Sequence, residues 1–122
     1  MKPRLSRVTL GVVRVAGRSM EPTLYADDLL VVAWGAEARP GGLVIVALPP
    51  ESSGASRPLS VKRLRGADPE DATRWWVERD NPNEGVDSWL VGSVPTAALR
   101  ARVLARLPRF GRRVTRSGGP SR

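Results

Sequence analysis

The 122-residue chain contains no cysteine and no histidine. Without cysteine there is no disulfide, no thiolate metal site and no cysteine nucleophile. Without histidine as well, a zinc or iron site would rest on carboxylates alone, a poor donor set for either metal. We therefore expect no metal and no other cofactor. Long apolar runs are missing too. The longest near the N-terminus, "VTLGVV", spans six residues and is followed by Arg14. A membrane span needs about 20 apolar residues. A secretory signal needs about 7–15 and a small-residue cleavage site. The expectation is a soluble, cytoplasmic protein with no transmembrane anchor.

Acidic residues are absent from both ends. Residues 1–18 carry five basic side chains and residues 88–122 carry eight, with no acid in either stretch. The twelve acidic residues all fall within 19–87, so the net charge of +8 belongs to the ends. Such ends suit an anionic surface or a nucleic acid. Aromatics make up only 5% of the chain, and Trp75 and Trp76 lie far along it from the arginine-rich tail. Nucleic acid is therefore not an expected partner. The tail, 109–122, is rich in Gly, Pro, Ser and Arg, and we expect a disordered, solvated extension that could touch anionic surfaces. Residues 1–7 form a basic N-terminal segment, and 8–108 a single domain with a modest core.

What is present is mostly short, β-branched and punctuated by turns. "VTLGVVRVAG" (8–17), "LLVVAW" (29–34), "LVIVALP" (43–49), "LSVKRL" (59–64) and "WWVERD" (75–80) read as strands. "PPESSGASRP" reads as a flexible polar loop, "GADPEDATR" as a turn and "SVPTAAL" as a turn or one helical turn. "ARVLARL" (101–107) fits a strand or a short helix equally well by alternation. Many short strands separated by turn signals predict an all-β sheet or barrel.

Ser19, in "VAGRSMEPTL", stands between an apolar run and a proline turn. Alone it reads as a turn residue. As a nucleophile it would need a neighbour to take its proton. Histidine is absent, and arginine does not deprotonate in proteins. A carboxylate or a lysine remains. The chain holds eighteen arginines but only two lysines, Lys2 and Lys62. Lys62 is flanked by Val61 and Leu64, in surroundings that can exclude water. Arginine and lysine both supply charge, but only lysine is readily made neutral by burial. Moving a lysine from about 10.4 to about 7 costs about 4.6 kcal/mol, which a folded domain can bear. A Ser–Lys pair is thus the nucleophile and base that this alphabet most readily permits. Taken alone, Lys62 reads first as an edge-strand surface lysine, since most lysines are exposed.

Three segments in order add to this reading. "GRSMEPTL" resembles the nucleophile box of the signal peptidase I-like serine proteases, Ser-Met-x-Pro-Thr. "VKRL" resembles their lysine box. "RDNPNEGVDS" resembles their third box, Gly-Asp-Asn followed by Ser-x-Asp-Ser-Arg. The resemblance spans roughly residues 8–107 and implies a small, barrel-like β domain in which "ARVLARL" is a strand. It implies Ser19 as nucleophile and Lys62 as general base. The Ser19 N–H would donate to the oxyanion, Met20 would line the substrate pocket and Pro22 would hold the turn. Arg63 would pair with Asp80 or Asp87 as scaffold, and Asp80, Asn81, Asp87 and Ser88 would organise the site. The chain departs from the pattern at four positions. Gly17 stands where some members carry a second oxyanion hydroxyl, a donor whose loss can cost about 2.7–4 kcal/mol. Arg79 replaces glycine, Gly85 replaces the serine that often bonds the lysine, and Trp89 replaces arginine.

Within this family, general signal peptidases carry a membrane anchor before the serine, and only eighteen residues precede Ser19. The LexA-type self-cleaving repressors, with a related fold, cut an Ala-Gly or Cys-Gly bond well upstream. The single Ala-Gly here, Ala16-Gly17, lies too close to Ser19 for self-attack. The chain is most similar to the small nickel-type superoxide dismutase maturation proteases of high-GC bacteria. The resemblance implies a precursor protein as partner, trimmed of its N-terminal extension; the dismutase, not this chain, would bind nickel.

Overall fold

A computed structural model describes residues 8–109 of the chain. The basic segment 1–7 and the tail beyond Arg109 lie outside the described residues. Seven strands are formed: β1 (Thr9–Arg14), β2 (Leu29–Trp34), β3 (Leu43–Val46), β4 (Ser60–Asp68), β5 (Asp71–Glu78), β6 (Val94–Pro95) and β7 (Leu99–Arg106). A four-residue helix, α1 (Ser88–Val91), precedes β6, and a 3-10 turn (Thr96–Ala98) follows it. The strands make one sheet in the order β1-β2-β7-β3-β4-β5-β6, with every pair antiparallel. The sheet curls into a half-barrel, so the all-β expectation is met.

The curl follows from irregularities in the ladders. Register shifts fall between Val31 and Val32, Ile45 and Val46, Leu64 and Gly66, and Ala67 and Asp68. Each extra residue bends its strand and increases the local twist. The bent sheet encloses apolar side chains on both faces. Leu30, Val32, Ile45, Val61 and Ala101 pack in one cluster. Val44, Val46, Leu64, Val77 and Val94 pack in the other. Side chains alternate across a strand, so Ile45 enters the first cluster while its neighbours Val44 and Val46 enter the second. This double burial explains why "LVIV" is a continuous apolar run rather than an alternating one.

One segment differs from the sequence reading, and one that alternation left open is settled. "GADPEDATR" is no broad turn. β4 runs on to Asp68, β5 begins at Asp71, and only Pro69 and Glu70 lie between them. The Asp68 carboxylate accepts the Glu70 N–H at 2.9 Å and the Asp71 carboxylate accepts the Thr73 N–H at 3.0 Å. These side-chain bonds let a polar stretch close a long hairpin. "ARVLARL" falls within β7, lodged between β2 and β3. Its pairing partners on both sides settle what its own alternation left open. The "PPESSGASRP" loop is closed at its base, where the Arg57 guanidinium donates to the Pro49 carbonyl at 2.7 Å.

Candidate active site

Val61 and Lys62 are neighbours on β4 and so point to opposite faces. Val61 joins the first apolar cluster. Lys62 turns to the other side and is only 3% exposed. Its Nζ lies 2.9 Å from Ser19 Oγ, across 43 residues of sequence. The segments that resemble a nucleophile box and a lysine box thus meet at the Ser19 hydroxyl and the Lys62 amine.

Burial pushes the Lys62 ammonium down to about 8. The nearby Asp87 carboxylate opposes this shift and the Arg79 guanidinium adds to it. The direction follows from solvation, because a charged amine loses its water inside an apolar sheet. With a value of about 8, roughly one Lys62 in ten is neutral at pH 7. As an ammonium, Lys62 donates to Ser19 Oγ. As a neutral amine, it accepts the Ser19 hydroxyl, which is the arrangement a general base requires.

The turn that carries Ser19 is held from several sides. Within it, the Leu24 N–H donates to the Met20 carbonyl at 2.9 Å. The Asn81 N–H donates to the Ser19 carbonyl at 2.8 Å, and Asn81 Nδ2 donates to the Arg18 carbonyl at 2.8 Å. Thr23 Oγ1 donates to Asp80 Oδ2 at 2.6 Å. Asp80 in turn receives Arg63 through both oxygens, at 2.9 and 2.6 Å. The sequence left Arg63 a choice between Asp80 and Asp87; the fork goes to Asp80. Arg63 also donates to the Gly41 carbonyl at 2.9 Å. The guanidinium holds the Asp80 carboxyl below its ordinary range, with a further contribution from Thr23. Asp80 and Asn81 therefore fasten the Ser19 turn to the sheet.

Asp87 and Ser88 act one layer away. The Asp87 carboxylate accepts the Trp89 N–H at 3.0 Å as the cap of α1, and the Arg79 N–H at 3.0 Å. Ser88, 1% exposed, accepts the Val77 N–H at 2.9 Å and joins α1 to β5. Pro22 sits exposed in the turn, and the Glu21–Pro22 peptide is cis. Gly17 enters the turn at φ +78°, a conformation that suits glycine.

A cleft of about 110 Å³ opens beside Ser19. Val13, Val15, Ala16, Met20, Ile45 and Val61 are among its walls. A cavity of about 150 Å³ admits benzene; this cleft takes a small apolar side chain. Gly17 is not among the lining residues. Ser60 is, and its Oγ is buried without a hydrogen-bond partner among the described residues. The Ser19 N–H also has no partner among the described residues and is free to donate.

Sequence reasoning passed over four contributors. Thr23 was part of the quoted motif but had no assigned role. Ser60 lies two residues before Lys62 and shares its strand face, a spacing visible in "LSVKRL". Gly85 and Arg79 registered only as departures. A Cβ built on Gly85 would sit 2.4 Å from the Ser19 Cβ, and Gly85 has φ +110°. Both facts require glycine there. A serine at this position would displace the Ser19 side chain.

No family model and no curated protein sequence matches the chain. Among the described residues, no helix is long and apolar enough to cross a membrane.

Proposed function

We propose that this chain is a Ser–Lys serine endopeptidase of the signal peptidase I-like type. The observation that carries the reading is the 2.9 Å approach of Lys62 Nζ to Ser19 Oγ, with Lys62 only 3% exposed. A surface lysine would stay charged and could not serve as a base.

In this reading a peptide lies extended along the cleft with a small side chain against Met20 and Val61. Neutral Lys62 takes the Ser19 proton as Oγ bonds to the peptide carbonyl carbon. The Ser19 N–H donates to the oxygen that gains charge. The C–N bond then breaks, and the Lys62 ammonium gives its proton to the departing amine. Water attacks the resulting ester, Lys62 takes the water's proton, and the Ser19 oxygen leaves and is reprotonated. The bound peptide excludes further water from Lys62, which lowers its proton affinity and favours the base form.

The substrate we propose is a precursor protein cut once near its N-terminus, with the nickel-type superoxide dismutase precursor as the specific candidate and the cytoplasm as the site of action. The resemblance of residues 8–107 to the nickel-type superoxide dismutase maturation proteases is what supports this part of the reading. Incubating the purified chain with that precursor, then sequencing the new N-terminus of the product, tests it. A single cut by the wild type, lost in Ser19→Ala and Lys62→Arg, is the expected result. Uncut precursor would remove this substrate, and full processing by either variant would remove the dyad.

A further inference from the structure

Arg79 stands where the resemblance leads one to expect glycine, and its side chain is fully engaged. It leaves the end of β5 and donates from Nη1 to the Gly85 carbonyl at 2.8 Å and from Nη2 to the Pro82 carbonyl at 3.1 Å. The two bonds tie residues 82–85 into a fixed loop. That loop places Gly85 against Ser19, so closely that a Cβ on Gly85 would fall 2.4 Å from the Ser19 Cβ and 3.5 Å from Ser19 Oγ. The Ser19 side chain is thereby backed on one side by Gly85 and met on the other by Lys62.

The charge of Arg79 bears on the same pair. Lys62 feels one anion, Asp87, and one further cation, Arg79. The other charged groups around the Ser19 turn answer to one another. Arg18 pairs with Glu21 at 3.3 Å and with Glu84 at 3.8 Å, and Arg63 pairs with Asp80. From β3, the residue paired with Lys62 is apolar Val44. Arg79 itself forms no salt bridge among the described residues, since its guanidinium is spent on carbonyls.

We propose that Arg79 is a positioning residue for the Ser19–Lys62 pair, bracing the 82–85 loop against the Ser19 side chain and presenting a second cation to the surroundings of Lys62. The two departures at positions 79 and 85 then form one device. The arginine fixes the loop, and the glycine lets that loop reach the nucleophile. A serine at position 85 would hold the lysine through a hydroxyl; here repulsion from Arg79 adds to the effect of burial in weakening the lysine's hold on its proton, and the Ser19 side chain is held by contact. The proposal rests on the protease reading for its purpose, but its test does not require activity.

The chain has only two lysines, so ε-¹³C-lysine NMR follows Lys62 directly in the intact protein. The wild-type Lys62 midpoint is expected near about 8. Arg79→Met is expected to raise it on the order of 0.5 unit, the effect of one charge several ångströms away in partly aqueous surroundings. Arg79→Lys, which keeps the charge, is expected to restore a midpoint close to that of the wild type. Both variants lose the fork, so both are expected to move the backbone amide signals of Gly85 and Ser19. The same spectra show whether β4 remains folded. An unchanged midpoint in Arg79→Met, or one raised equally in Arg79→Lys, would overturn the electrostatic role. Unmoved Ser19 and Gly85 amides in both variants would overturn the brace. Absence of proteolysis with these shifts intact would instead count against the proposed function alone.

Discussion

Lys62 is the residue on which chemistry and stability conflict. Its folded value of about 8 lies below the ordinary 10.5, so the unfolded chain holds the proton more tightly. Between these two values the unfolded state binds more protons, and stability rises with pH. Below about 8 the full cost remains, about 3 kcal/mol at 1.36 kcal/mol per unit. Lys62→Met removes the charge and the bond to Ser19 together. We expect it to raise stability at pH 7 by about 1–3 kcal/mol in urea titration, with the gain shrinking as pH climbs toward 10.5. Equal stability of the two proteins across that range would mean that Lys62 is well solvated. Asp80 has the opposite sign. Its carboxyl is held down by Arg63, so its contribution is complete above 3.8 and is lost as pH falls below that value. Asp80→Ala is expected to cost about 1–3 kcal/mol at pH 7 and to cost less in acid.

At the scale of elements, the segment from Asp80 to Asp87 is the one that assembles the site. Asn81 clamps the Ser19 turn, Asp80 anchors Thr23 and Arg63, and Gly85 backs the Ser19 side chain. Gly85→Ser, which restores the hydroxyl of the family pattern, is expected to lower acylation of Ser19 by about 100-fold, since misplacement by an ångström can cost that much. Enhanced acylation would show that the loop yields. Much of this was legible. Five apolar runs became strands because β-branched residues fit a pleated surface. The Ser19–Lys62 meeting could be anticipated because the alphabet offers so few bases. What stayed hidden depends on partners distant in sequence. "ARVLARL" is a strand because β2 and β3 flank it, and "GADPEDATR" closes a hairpin because its aspartates bond to nearby backbone. Gly85 looked like a missing serine, because nothing in the sequence places its Cα beside Ser19. Arg79 looked like a substitution, because the carbonyls it holds belong to a loop whose shape no pattern encodes.

Across the whole molecule, Arg109, the last described residue, is tied by its side chain to the segment that follows the Ser19 turn. Arg109 donates to both oxygens of Asp28, at 2.8 and 2.9 Å, and its guanidinium lies 5.4 Å from the centre of the Tyr25 ring. The Asp28 side chain is fully buried, and Arg109 holds its carboxyl below the ordinary range. The expected boundary at residue 109 therefore falls on a residue with a structural role. Chains ending at Arg109 and at Pro108 are expected to differ in stability by about 1–3 kcal/mol at neutral pH, with the longer one more stable. The difference is expected to fade as pH drops below 3.8 and Asp28 takes up its proton. Identical thermal unfolding of the two chains would show that the pair adds nothing. In sequence, this clamp on Tyr25 and Asp28 lies just beyond the turn that carries Ser19.

The account turns on whether Lys62 serves Ser19 as its base. The most direct measurement is the pH profile of covalent labelling by a serine-directed fluorophosphonate, read by intact mass and mapped to the modified residue. We predict a single adduct at Ser19, a rate that rises with pH through a midpoint near about 8, and no adduct in Lys62→Met. Labelling elsewhere, a rate that does not change through that range, or undiminished labelling of Ser19 in Lys62→Met would contradict it.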